Sequence, residues 1–514
     1  MENISITRIF WKRTYLFIEF SGAPLGSPVL TDGDRSYPFS VKPQCETGFR
    51  GKLNIAIAGG RTMLPAGDYT VCMDGKPVPC SDDVMLSCED LARVYNYDEK
   101  QNAFVISFYM KNDALYMHCD YMKHNDAPEK RPGHRAFQKK LFNMYYKVCS
   151  AFHPKKGKNI LLMSENHDAI CDNLKALDKR LKQRELDREF NISYSFRNIF
   201  DGKRGLSSWL KVISLIAKQD FIFVDDYVPV FGFIDLDKNT KLIQVWHAGF
   251  GFKLVGYGRF GLEGSPHPFQ SCHRKYDYAL VGNKHLKEIY SEVFGIEKGS
   301  LLATGMPRLE EFMDMQTAAA AREYLLKKYP QLIGKKVITF APTYRGSSQD
   351  EAHYDADRLD MDALYSYCTK TDTCIIFKMH HFIREPFPID PKYKDRFYDM
   401  SSEDLNSIFQ ITDLLITDYS SCFYDFLLLG RPILFYVYDK IQYQATRGVH
   451  RPIDEVAPGK ICNTFEELLS ALENEDYGSA EAQDFLRDRA SLSGKCASDR
   501  VIDRILLGQE DSEI

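Results

Sequence analysis

Four stretches of the chain end an apolar run in residues that can carry protons or hold phosphate. In Gln244-Val-Trp-His-Ala-Gly-Phe-Gly-Phe-Lys253 the run delivers His247 into a glycine-bearing loop, with Lys253 six residues on. An imidazole titrates near neutrality and suits a general base, and glycines let backbone amides approach a ligand closely. A purely structural histidine is the plainer alternative. Thr304-Gly-Met-Pro-Arg308 offers a guanidinium shaped for bidentate contact with phosphate, or equally for a surface ion pair. Phe340-Ala-Pro-Thr-Tyr-Arg345 ends in the hydroxyl of Thr343 and a second guanidinium, and Phe377-Lys-Met-His-His381 in a cation and two imidazoles. Continued strand alternation puts Lys378 and His380 on one side, which makes His380 the functional candidate and His381 the structural one.

The fullest constellation is Leu414-Leu-Ile-Thr-Asp-Tyr-Ser-Ser-Cys-Phe-Tyr-Asp-Phe-Leu-Leu-Leu-Gly430. A buried strand should stop at Thr417, Asp418 to Ser421 should form the turn, and a helix should run to the glycine. Ser420 or Ser421 would then sit at the helix N-terminus, where free amides and the dipole favour an anion. Simple N-capping, worth about 1 kcal/mol, is the competing reading. Asp225-Asp226 resembles the acid pair of metal-dependent transferases, but no second acidic cluster joins it in the sequence, and a hard cation needs several oxygen ligands. Neither a metal nor a cofactor is called for. No G-x-x-x-x-G-K-[ST] loop and no H-E-x-x-H occurs, which removes P-loop and zincin chemistry, and the glycines between Gly249 and Gly261 do not make a dinucleotide fingerprint.

The elements that must position these residues follow from the pattern. Residues 1–125 carry β-branched and aromatic runs such as Thr14 to Phe20 and Ala103 to Tyr109, separated by turn signals at Asp32-Gly33 and Asp74-Gly75, and predict a small antiparallel sandwich-like domain. Residues 126–157 form a basic linker or helix. From 158 onward, apolar strands alternate with amphipathic helices in two series, 158–315 and 316–514, which predicts two Rossmann-like α/β domains facing one another, with ligands at the strand carboxyl ends.

Composition sets the outer bounds. At 514 residues, two or three domains are expected; 44% hydrophobic and 27% charged residues exclude a mostly disordered chain, and a net charge of −5 argues against nucleic acid as a partner. Thirteen cysteines with no C-x-x-C pair fit reduced thiols. No apolar run reaches the roughly 20 residues of a membrane span, so the expectation is a cytoplasmic protein that meets a membrane only at its surface. Between Pro128 and Lys158 nine Lys/Arg face one acid, whereas Asn463 to Ile514 carries thirteen acids and five bases. The basic, aromatic stretch Phe137 to Tyr146 could lie on an anionic bilayer, or be a solvated helix face joining two domains.

Taken in order, these segments resemble the CDP-glycerol glycerophosphotransferase family, the polymerases and primases of teichoic acids and related capsules. The matching residues are Trp246-His247 with Lys253, Gly305-Met-Pro-Arg308, Ala341-Pro-Thr-Tyr-Arg345, Lys378-Met-His380, and Ile416-Thr-Asp-Tyr-Ser-Ser421 with Asp425. The resemblance covers roughly 158 to 470. It implies a GT-B architecture, peripheral attachment to the inner face of the membrane, and transfer of glycerol or ribitol phosphate from a CDP-activated donor to a hydroxyl of a glycopolymer or lipid-linked acceptor, releasing CMP. It also implies His247 as base on the acceptor side and, on the donor side, His380 as its partner or a phosphate stabiliser. Lys253, Arg308, Thr343, Arg345, Lys378, Ser420 and Ser421 would hold the donor, Asp418 and Asp425 would order the pocket, and Arg447 and Glu455 would close it. His247-Ala-Gly-Phe departs from the family's commoner His-Gly-Thr-Pro and lies closer to ribitol-phosphate variants. The rival readings are a GT-B nucleotide-sugar glycosyltransferase and a non-catalytic anion-binding protein at the membrane.

Overall fold

A computed structural model describes residues 4–23, 26–45, 48–88, 91–96, 103–122, 133–197, 205–247, 254–259, 271–346, 351–446, 448–450, 452–478 and 496–510. Residues before 123 form two antiparallel sheets. One runs in the order Ile6–Lys12, Tyr15–Ser21, Gly48–Asn54, Ser40–Cys45; the other Ser36–Pro38, Val29–Thr31, Gly67–Met73, Ala114–Met122, Ala103–Lys111, Arg93–Asn96. Strand alternation explains the pairing: Leu16, Ile18 and Phe20 of the first sheet and Phe104, Ile106, Leu115 and Met117 of the second fill one shared core. The Asp74-Gly75 signal is a tight hairpin turn, with φ of 49° and 76° between paired Met73 and Lys76.

Two six-stranded parallel sheets follow. The first has the order Asn191–Phe196, Asn159–Ser164, Phe221–Val224, Lys241–Gln244, Tyr278–Leu280, Leu301–Leu302. The second has the order Phe397–Asp399, Thr373–Phe377, Lys336–Phe340, Leu414–Thr417, Ile433–Tyr436, Lys460–Cys462. In each, the strand order reverses beside the sheet's first strand in sequence. That reversal leaves a crevice at the carboxyl ends of Ser164 and Val224 in one sheet and of Phe340 and Thr417 in the other, where ligands of such sheets bind.

Two expected boundaries shift. The helix Gly133–Ala151 is not a free linker: Phe142 and Tyr146 are buried in the core of the first α/β unit. The chain end, assigned by its position to the second unit, packs instead on the first, where Val501, Ile502 and Ile505 join Leu174, Leu177 and Leu181. Asp499 fixes it there through Arg180 (2.6 Å) and Arg184 (2.9 Å).

The three parts are keyed together by arginines. Arg308 opens the helix Arg308–Met313 after the first sheet and reaches Asp425, behind Leu414–Thr417 of the second, with Nη1 and Nη2 donating at 2.6 and 2.8 Å. Arg13 of the β-rich part donates Nε to Glu292 (2.9 Å) and Nη1 to the His450 carbonyl (2.5 Å).

Two outcomes follow. Arg308→Met strands a carboxylate whose side chain is only 9% exposed, so it should lower unfolding free energy by about 3–5 kcal/mol in denaturant titrations, and adding Asp425→Leu should restore most of it. Burial pushes the Asp499 carboxyl upward, but hydrogen bonds from Arg180 and Cys496 and the charges of Arg180 and Arg184 hold it at about 2. A pKa depressed on folding gives stability that is complete above the unfolded value near 4 and lost as pH falls toward 2. Pepsin cleavage within 496–510 should therefore rise between pH 4 and 2, and Asp499→Asn should show that release already at pH 4.

Candidate functional site

At the first crevice the turn after Gln244 is held by buried amides. The Gln244 side chain accepts from Trp246 N (2.9 Å) and donates to the Asp226 carbonyl (3.0 Å) and to Tyr276 Oη (3.0 Å). Trp246 has φ of 51°, the left-handed region that a bulky residue enters only when its surroundings hold it there. Asn173, fully buried, supplies that hold: Nδ2 donates to the Val245 carbonyl (3.1 Å) and to the Trp246 carbonyl. This geometry carries His247 out of the core, 48% exposed, with its ring 4.6 Å from the Trp246 ring.

The Nδ1 of His247 lies 3.4 Å from the Asp225 carbonyl and 3.7 Å from the Asp226 carboxylate. A carbonyl only accepts, so Nδ1 carries the proton there and Nε2 is left as the basic nitrogen. Asp226, by its spacing a candidate metal ligand, stands with its carboxylate beside the imidazole, an orientation that spacing alone does not reveal. Asp225 is buried, and burial raises its carboxyl to about 6, against the hydrogen bond from Ser164 and the His167 charge. Among the described residues His167, Cys171 and Asp225 bring three ligand atoms within 4.8 Å of one another, a mixed donor set of the kind that suits zinc. That grouping was also missed, because its members are spread over 58 positions.

At the second crevice Asp418, 1% exposed, stitches both strand ends together, accepting from Thr343 N at 2.7 Å and Arg345 Nη1 at 2.8 Å. Arg345, expected on the pyrophosphate, also donates Nε and Nη2 to Asp439 (2.6 and 3.0 Å) and Nη1 to the Thr343 carbonyl (2.9 Å). Tyr354, Tyr419, Tyr438 and Tyr443 surround it at 5.2–5.6 Å. Its guanidinium braces the floor of the crevice. Arg308, expected in the same role, is likewise committed to Asp425. Thr343 is itself fully buried.

Lys378 and His380 lie beyond the strand, which ends at Phe377, so the expected alternation does not extend to them. Lys378 Nζ donates to the Ser401 carbonyl at 2.7 Å; an ammonium has three donors, so one such bond does not exhaust it. His380, half-buried, accepts from Phe382 N at its Nδ1 (3.2 Å), which places the ring proton on Nε2. His381 is exposed and stacks on His380 at 4.3 Å, rather than turning into the core. A cavity of about 290 Å³ adjoins this loop, lined by Tyr354, Met379, Phe382 and Arg384.

Ser420 and Ser421 are half-buried at the mouth of the second crevice. The helix behind them is shorter than expected, Phe423–Leu427, and its cap is Cys422, whose N–H donates to Ser420 Oγ at 3.4 Å. Five residues carry little dipole, so the groups here that can meet an anion are the serine hydroxyls rather than the helix end. Lys253 and Arg447 lie outside the described residues, and Glu455 is exposed on the short helix Ile453–Val456.

The sequence profile of CDP-Glycerol:Poly(glycerophosphate) glycerophosphotransferase matches residues 145–507. The chain is 34% identical to the teichoic acid ribitol-phosphate polymerase TarL of Staphylococcus aureus over 363 residues, 70% of this chain and 65% of that one. It is 32% identical to the teichoic acid poly(ribitol-phosphate) polymerase of Bacillus spizizenii over 423 residues, 82% of this chain and 67% of that one. The chain thus spans about two-thirds of the length of these relatives. In fold it is similar to a solved structure of the wall teichoic acid polymerase TagF, with a TM-score of 0.57 at 21% identity, covering 72% of this chain and 97% of that one. With a match running through both α/β units and both crevices, the chain belongs to the CDP-Glycerol:Poly(glycerophosphate) glycerophosphotransferase family.

Proposed function

We infer that the chain transfers a polyol phosphate from a CDP-activated donor to an acceptor hydroxyl in teichoic acid synthesis and releases CMP. The observation that carries this reading is the orientation of His247: a half-exposed imidazole at a strand carboxyl end, with Nδ1 turned to the Asp225 carbonyl and Asp226 and Nε2 left basic. In the reaction, Nε2 takes the proton of the acceptor hydroxyl as its oxygen bonds to the phosphorus bearing the polyol. The bond from that phosphorus to the CMP oxygen breaks, and CMP leaves with the electron pair. Lys378, Ser420, Ser421, the Nε2–H of His380 and Lys253 stabilise the charge on the two phosphates, as preorganised donors do in phosphoryl transfer. Behind them, Thr343, Arg345 and Asp418 fix the strand ends, and Arg308 with Asp425 holds the two units together.

The corresponding organisation is GT-B-like: a β-sandwich accessory part (1–125), a basic segment (126–157) that includes the helix Gly133–Ala151, an acceptor-side unit (158–315, with the chain end) and a donor-side unit (316 to about 478). Ribitol is the polyol favoured by the relatives at 32–34% identity. Among the described residues no helix is long and apolar enough to cross a membrane. Yet Phe137, Met144, Val148 and Phe152 are 53–78% exposed along one stripe of the basic helix and its end, the arrangement of a helix lying in an anionic bilayer surface.

Incubation with CDP-ribitol, CDP-glycerol and UDP-sugars, with an oligomeric acceptor, should release CMP and not UDP; UDP alone would establish the glycosyltransferase reading. His247→Ala should lower CMP release by about 10²- to 10⁴-fold, the worth of a general base, with unchanged thermal unfolding. Vesicles containing anionic lipid should bind the protein more weakly as salt rises, and Phe137→Glu with Val148→Glu should abolish that binding; equal binding to neutral vesicles would defeat the membrane assignment.

A further inference from the structure

Where the β-rich part meets the first α/β unit there is a cavity of about 690 Å³, within the size range of small-ligand sites. Tyr15, Phe17 and Tyr37 give it aromatic walls, and Lys42, Arg50 and Lys52 reach it from neighbouring strands of the four-stranded sheet. The opposite wall comes from the helix Lys287–Phe294 and the turn after it, through Glu288, Ser291, Glu297 and Lys298. Four cations thus line it beside two carboxylates, in a chain whose net charge is −5; Arg50 is also paired with Glu19 (2.5 Å) and Glu297 with Arg61 (2.8 Å), which leaves Lys42, Lys52 and Lys298 with Glu288. Lys52 lies over the Tyr15 ring at 4.0 Å and pairs with Glu288, which Lys298 approaches at 3.6 Å. Burial, and then the charges of Lys298 and Lys42, push the Lys52 ammonium down to about 8. Such mutual repulsion is relieved when an anion enters.

We propose that this cavity binds the phosphodiester backbone of the acceptor polymer, holding already-joined polyol-phosphate units while the chain end is extended. The assignment rests on the transferase reading above. A polymer that alternates a neutral polyol with a singly charged phosphodiester needs spaced cations and flat apolar faces rather than one deep charge, and this wall alternates the two. The cavity also stands near the chemistry. Glu288 and Ser291 line it, and the same helix ends on Phe294, whose ring packs 5.3 Å from that of Trp246, beside His247. From Glu288 to Phe294 the helix rises about 9 Å, so polymer held in the cavity would be within a few units of the imidazole.

The test uses the full chain and synthetic ribitol-phosphate oligomers of one to six units, with binding measured calorimetrically without donor. Affinity should grow with oligomer length and fall with added salt. Lys42→Glu with Lys298→Glu, both on exposed side chains, should weaken binding of the six-unit oligomer at least tenfold and raise its KM to match. CMP release with a one-unit acceptor, and the donor KM, should not change. The milder pair Lys42→Ala and Lys298→Ala should give the same pattern at smaller size if charge reversal disturbs folding. Equal binding of the six-unit oligomer by the parent and both variants would overturn the assignment while leaving the transferase reading intact. Failure of the transferase reading shows separately, as absence of CMP release from any CDP-polyol even with the one-unit acceptor.

Discussion

Asn173 is a single buried amide with three backbone obligations, and the geometry of both crevices runs through it. Its Nδ2 holds the Val245 and Trp246 carbonyls, and its Oδ1 accepts from Arg308 N at 2.9 Å. The strained turn that presents His247 is therefore bolted to the first residue of the helix whose side chain grips Asp425 in the other unit. A buried amide that lost one of these partners would leave a carbonyl or an N–H unsatisfied, at about 1–3 kcal/mol each. The left-handed Trp246 is thus held by contacts whose loss costs as much as the strain itself.

The same logic governs the second crevice, with charge in place of amide. Taking Arg345 and Asp418 out of water is expensive, and it is tolerated because Nε, Nη1 and Nη2 of Arg345 each have a well-placed acceptor and four tyrosine rings close around the guanidinium. The result is a rigid floor joining Phe340 and Thr417, the strand ends on either side of the reversal in strand order. A rigid floor lets the residues at the surface, Ser420, Ser421, Lys378 and His380, keep fixed positions without themselves being buried. Buried charge thus gives rigidity below, and hydroxyl and ammonium donors stand above it.

This division explains which parts of the molecule could be read from the sequence. Central strands such as Lys336–Phe340 and Leu414–Thr417 are continuous apolar runs, buried on both faces, and are plain in the sequence. Edge strands are not: Asn191-Ile-Ser-Tyr-Ser-Phe196, paired among the described residues only with Asn159–Ser164, interleaves polar with apolar residues and offers no continuous apolar run. The candidate residues were legible by type, because strand ends that finish in His, Lys, Arg and Ser are unusual in an apolar context. Their duties were not. Arg308 and Arg345 look alike to a ligand and to a carboxylate, and the carboxylates that claim them, Asp425 and Asp439, stand 117 and 94 residues away. The length of the helix after Ser421 was overestimated because Phe-Tyr-Asp-Phe-Leu-Leu-Leu has helical character throughout, while packing turns the chain after Leu427.

What separates the two imidazoles chemically is the backbone atom that each Nδ1 meets. At His247 it is a carbonyl, which demands a proton on Nδ1 and leaves Nε2 with its lone pair. At His380 it is an amide N–H, which demands the lone pair on Nδ1 and puts the proton on Nε2. The side chain is the same in both places, yet one is left with a lone pair on Nε2 and the other with a proton there. In the proposed transfer an acceptor hydroxyl gives up a proton and a pyrophosphate shares its charge, so two histidines in opposite tautomers would answer two different demands of one displacement. Exchange of the backbone partners would exchange the roles, which makes the loops after Val224 and after Met379, and not the histidines alone, part of what sets the chemistry.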